Sequence, residues 1–214
     1  MNLIHHNEGA LKSHECTSII NYFNQNTDKQ IKGEVASNGG TVVPAWKVCK
    51  EMWFYSDRMI EKGLDGDLNK PSPFPPVARV LNETVSQYRE QYPFIDELTP
   101  WTVAPTFKIQ KYLPNEGYFK THCENDGYLD GYCERRVFAW MIYLNDVEDG
   151  GETEFPHQKE KVKPTRGTCL FWPSYWTHPH HGLTSPSQEK YILTGWYIFT
   201  SWYTKQFINS LKDS

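Results

Sequence analysis

The periodicity of this chain changes near Trp101, from helical spacing before it to short alternating segments after it, and that order restricts the folds available. In the first part, Cys16, Ile19, Ile20 and Phe23 recur at helical spacing. They predict a helix over residues 13–26, with Ser13 as its cap and Glu15 in its first turn. Val77, Val80, Leu81, Val85 and Tyr88 form a second amphipathic stripe, predicting a helix over 76–91 that Pro93 ends. Between them, Asn38-Gly39-Gly40 marks a turn, and the stretch from Trp46 to Phe54 is compatible with a strand without demanding one. The Gly- and Pro-rich stretch over 63–76 is a loop, either a plain surface loop or a lid over a substrate.

After Trp101 the pattern is that of strands separated by Gly, Pro and Asn turns. Residues 107–112 alternate apolar and polar, and Pro114-Asn115-Glu116-Gly117 turns the chain into Tyr118 to His122. Residues 136–144 are apolar on both faces, as in a strand covered on both sides. Gly150-Gly151 is a further turn, and residues 152–155, 168–172 and 190–199 complete the set. Helices first and antiparallel strands second predict an α+β fold. Its strands would close into a double-stranded β-helix, or jelly roll, with the N-terminal helices packed outside. Residues 1–100 would then be a helical support region of the same domain, and 101–214 its core.

The 214 residues suffice for one well-buried core. A formal net charge of -4 with no Lys/Arg block argues against a nucleic-acid partner, which needs a clustered basic face. Five scattered cysteines cannot all pair within the chain, and they include no CxxC element, so reduced thiols are expected rather than a zinc site. The sequence has no apolar run of membrane-spanning length and no basic-then-apolar start, which predicts a soluble, cytoplasmic protein with no membrane partner.

The residues that carry chemistry are His122-Cys123-Glu124 and a later cluster, His178, His180 and His181. Two residues apart on a strand, His122 and Glu124 would project from one face toward a shared point, with Cys123 turned away. A third ligand from the distal cluster would complete a two-histidine, one-carboxylate set, which leaves one side of an iron ion open. Asp126 is a rival carboxylate, and spacing on a strand does not by itself choose among the three distal histidines.

A longer set of residues resembles the prolyl 4-hydroxylase type of Fe(II)/2-oxoglutarate-dependent dioxygenase, in its short bacterial and bacteriophage form. The set comprises Tyr112, Gly117-Tyr118, His122-Cys123-Glu124, Arg136, Tyr143-Leu144-Asn145-Asp146, Gly150 through Phe155, Val162-Lys163-Pro164, Gly167, Phe171-Trp172-Pro173, His180-His181-Gly182 and Lys190 through Trp196. The resemblance implies His122, Glu124 and His180 as iron ligands, with His181 second and His178 third for the distal place. It implies Lys190 as the partner of the distal carboxylate of 2-oxoglutarate, with Tyr112, Tyr143 and Trp196 lining the cosubstrate pocket. Where the family usually has Asp, this chain has Glu124, one methylene longer. The implied cofactors are Fe(II), 2-oxoglutarate and O2, with L-ascorbate as reductant. The implied reaction hydroxylates an unactivated C–H bond, most naturally of a prolyl residue in a peptide or protein, releasing succinate and CO2. The competing functions are the same chemistry on a small molecule or nucleobase, and a non-catalytic cupin-like metal-binding module.

Overall fold

A computed structural model describes residues 2–35, 41–55, 73–127 and 133–200. The turn at 38–40 and most of the 63–76 loop lie outside the described residues. The first helix, α1, spans Ser13–Gln25. Ser13 is its first helical residue rather than its cap; the Glu15 carboxylate accepts the Lys12 backbone N–H at 2.7 Å, satisfying the entry instead. The second helix, α2, spans Pro75–Gln91, opens on two prolines whose missing N–H groups cost nothing there, and ends before Pro93.

Strands outnumber helices among the described elements. The strands are β1 His5–Asn7, β2 Ile31–Lys32, β3 Lys50–Tyr55, β4 Trp101–Tyr112, β5 Arg136–Tyr143, β6 Thr153–Phe155, β7 Glu160–Val162, β8 Cys169–Pro173, β9 His181–Gly182 and β10 Lys190–Phe199. Seven form an antiparallel sheet in the order β1-β8-β5-β10-β4-β3-β2, and three form a smaller one, β7-β6-β9. The segment left open by its sequence pattern thus supplies β3, and the N-terminal part of the chain adds β1, β2 and β3 to the large sheet. Strand β4 begins at Trp101, earlier than the alternation of 107–112 alone indicates.

Alternation divides the residues of the large sheet between two apolar clusters. From one face, Phe107, Ile109, Phe138, Trp140, Ile142, Phe171 and Leu193 pack with Ile19 and Phe23 of α1 and Val77, Leu81 and Tyr88 of α2. From the other, Tyr112, Ala139, Met141, Tyr143, Leu170, Trp172, Ile192 and Trp196 form a second cluster with Phe155 and Val162 of the small sheet. Every residue of β5 is therefore buried, which is why its sequence is apolar on both faces.

Candidate active site

A cavity of about 670 Å³ opens beside this second cluster. Its floor is a ladder of cross-strand neighbours in which Tyr112 pairs with Lys190, Gln110 with Ile192, and Lys108 with Thr194. All six line the cavity, because every second residue of β4 and of β10 faces it.

His122, Glu124 and His180 converge on one side of the cavity, their ligand atoms all within 4.8 Å of one another. One Glu124 oxygen, Oε1, lies 3.6 Å from His122 Nε2 and 3.4 Å from His180 Nε2. The histidines are placed by an antiparallel bridge, His122 N–H to His180 O at 3.0 Å and His180 N–H to His122 O at 2.8 Å. This bridge is isolated, and Glu124 sits in a bend rather than in a strand. The expectation of a regular strand through 122–124 is corrected accordingly: the backbone turns after His122, which lets the longer glutamate side chain reach the same point.

Each imidazole is oriented by a carbonyl. His122 Nδ1 donates to Lys120 O at 2.9 Å and His180 Nδ1 to His178 O at 3.1 Å. A carbonyl only accepts, so the ring proton sits on Nδ1 and the Nε2 lone pair is directed at the shared point. Two lone pairs and a carboxylate facing one another make a cation site by the chemistry of the donors. Burial, then the neighbouring His180, lowers the pKa of His122.

The other oxygen of Glu124, Oε2, accepts the Trp196 indole N–H at 2.7 Å and lies 3.5 Å from Arg136 Nη1. The Arg136 guanidinium stacks on the Trp196 ring at 3.8 Å and donates to the Glu124 carbonyl at 3.1 Å. Trp196 therefore orients the carboxylate in addition to lining the cavity. Tyr118, one of the residues that carry the resemblance, stacks on His122 with ring centroids 3.8 Å apart.

The remaining candidates separate by their contacts. Both His181 ring nitrogens have partners, Glu154 at 3.3 Å and Thr121 at 3.2 Å. His178 is buried, its pKa lowered to about 4 by burial, and its Nδ1 meets Thr177. Asp126 lines the cavity outside the converging set, and so does Cys123, whose thiol contacts Asn125 O. Lys190, 5% exposed, donates to the Gly151 carbonyl at 2.8 Å and lies 5.0 Å from the centre of the Tyr112 ring. Burial lowers its pKa to about 8, with Glu152 opposing. The Gly150-Gly151 turn, at φ +74 and +78, thus brings a carbonyl to this lysine. Tyr143 is not among the lining residues: its hydroxyl donates to Thr153 Oγ1 at 2.7 Å, so Thr153 stands between it and the cavity.

Residues 107–198, the segment holding this whole arrangement, match the profile of the 2OG-Fe(II) oxygenase superfamily. A mimivirus protein named "Putative prolyl 4-hydroxylase", from Acanthamoeba polyphaga mimivirus, is 33% identical over 112 residues, 46% of this chain and 46% of the relative. The chain thus spans about half the length of that curated relative. Among solved structures, a viral collagen prolyl hydroxylase from Paramecium Bursaria Chlorella virus-1, in its 2OG complex, aligns with TM-score 0.64 and 21% identity, covering 93% of this chain and 97% of that one. A Trichoplax adhaerens prolyl hydroxylase in complex with a hypoxia inducible factor oxygen degradation domain peptide fragment aligns with TM-score 0.70 and 18% identity, covering 93% and 84%. At these identities the chain shares their fold.

Proposed function

We propose that this chain is an Fe(II)/2-oxoglutarate-dependent dioxygenase that hydroxylates a prolyl residue in a peptide or protein. The observation that carries the proposal is one cavity with a His122-Glu124-His180 donor set on one side and a buried, weakly satisfied lysine, Lys190, elsewhere on its wall. The superfamily match over residues 107–198 and the named relatives support it. The two sheets are, in this proposal, the walls of a double-stranded β-helix with α1 and α2 outside, residues 1–100 supporting a core of 101–214.

His122, Glu124 and His180 would hold Fe(II), which when bound activates O2 and drives decarboxylation of 2-oxoglutarate to succinate. The chain's own residues do the positioning. Lys190 offers a charge-assisted bond to the distal carboxylate of the cosubstrate, next to the Tyr112 ring, in a dry site where such a bond is strong. Trp196 and Arg136 keep the Glu124 carboxylate fixed, and the apolar wall of Met141, Trp172 and Ile192 excludes water. L-ascorbate would serve as reductant and the cytoplasm as location. Among the described residues no helix is long and apolar enough to cross a membrane.

The test is succinate release by the Fe(II)-loaded protein given 2-oxoglutarate and a proline-rich peptide, with mass spectrometry of the peptide. Lys190→Ala should raise the 2-oxoglutarate KM at least tenfold with a smaller change in kcat. A protein that releases no succinate with any prolyl peptide would contradict the proposal.

A further inference from the structure

The cavity holds a second buried lysine that neither an iron ion nor 2-oxoglutarate uses. Lys108 lies on β4 four residues before Tyr112, so the strand places it roughly 13 Å from the Tyr112–Lys190 end of the ladder. It is 8% exposed and lines the cavity. Its ammonium is held over the Trp53 ring at 4.3 Å and near the Trp196 ring at 5.9 Å, and these two indoles stack 6.1 Å apart. The Trp196 N–H reaches Glu124, so a single indole separates Lys108 from the proposed metal centre.

The charges around Lys108 do not balance. Among the described residues, Glu51, fully buried, is the one carboxylate within ion-pair distance of two ammonium groups, Lys47 at 2.6 Å and Lys108 at 3.3 Å. Lys47 is the closer, and it is further satisfied by the Glu34 carbonyl at 3.0 Å. The same carboxylate also accepts from the Glu34 N–H, Trp53 Nε1 and Gln110 Nε2, so its lone pairs are fully subscribed. One positive charge is left over, and it lies on the cavity side at Lys108. Burial, and next the charge of Lys47, lowers the Lys108 pKa to about 8, a stress that an incoming anion relieves.

We propose that Lys108, framed by Trp53 and Trp196, receives a carboxylate of the acceptor, so that the preferred substrate is acidic beside the carbon to be oxidised. The inference rests on the oxygenase proposal and narrows its substrate class. The carboxylate can belong to a neighbouring Asp or Glu of a peptide, or to the acceptor's own terminal acid.

The test uses equilibrium binding read by tryptophan fluorescence on the full chain, which requires no turnover. The probes are capped pentapeptides with Glu on either side of a central proline, their Gln counterparts, and N-acetylproline against its amide. The wild-type protein should bind an acid at least about tenfold more tightly than the matching amide, the range expected of a charge-assisted hydrogen bond. Lys108→Met should bring that ratio close to one, and Lys108→Arg should retain it. The peptide arm and the N-acetylproline arm show which source supplies the acid. Equal binding of every acid and amide by the wild-type protein, or a preference that persists in Lys108→Met, overturns the inference. Acid preference without succinate release would leave it standing and contradict the oxygenase proposal instead.

Discussion

Trp196 donates to Glu124 Oε2 while Oε1 faces both histidines, so the indole sets which oxygen is available to a cation. Trp196→Phe keeps the ring and removes the N–H; Fe(II) affinity, measured by anaerobic titration, should fall about 10- to 100-fold, as for other partners that orient metal ligands. Glu51→Gln removes the carboxylate that, among the described residues, bridges Lys47 and Lys108, and should cost about 3–5 kcal/mol in denaturant unfolding. Because the Glu51 pKa is lowered to about 2, its contribution is complete above the ordinary carboxylate range and is lost as pH falls through about 2. That His122, Glu124 and His180 converge was legible from spacing and resemblance. The Glu51 network was not, since Lys108 is distant in sequence from Lys47 and Glu51, and their charges look solvated until β3 pairs with β4.

Strand β10 is the element on which the site depends, supplying Lys190, Ile192, Thr194 and Trp196 to the cavity and Leu193 to the helix-facing core. Gly195 stands opposite Trp140 of the neighbouring β5, and a Cβ there would meet Trp140 Cζ2 at 2.5 Å. Gly195→Val should therefore destabilise by about 1–3 kcal/mol in denaturant melts and shift Trp196, lowering iron affinity as well. Helices α1 and α2 were legible because their apolar stripes are strictly periodic, and β5 because it is apolar throughout. Strand β3 was not, because Lys50, Glu51 and Trp53 break the apolar alternation: Glu51 is buried by its ion pairs rather than by hydrophobicity. The local course of 122–124 was also hidden, since the pattern of a His-X-carboxylate pair is the same in a strand as in a bridge followed by a bend.

For the whole molecule, the two-sheet arrangement sets a donor cluster, Lys190 and Lys108 around one cavity while the helices fill the opposite face of the large sheet. The depressed pKa of Lys190, about 8, gives the cavity a pH dependence: the ammonium proposed to pair with a dicarboxylate is present below about 8 and lost above it. The 2-oxoglutarate KM should accordingly rise as pH increases through 8, and Lys190→Arg, which stays charged, should flatten that rise. The order of helices and strands made the broad class legible, whereas the N-terminal strands that widen the large sheet depend on pairings distant in sequence. The central claim is that His122, Glu124 and His180 hold the iron of a 2-oxoglutarate oxygenase. Succinate release with Fe(II), 2-oxoglutarate and a prolyl peptide tests it most directly when wild type, His180→Ala and His181→Ala are compared side by side. The account predicts turnover matched by one oxygen gained per peptide in wild type, none in His180→Ala, and retained turnover in His181→Ala. Turnover that survives in His180→Ala and vanishes in His181→Ala would contradict it.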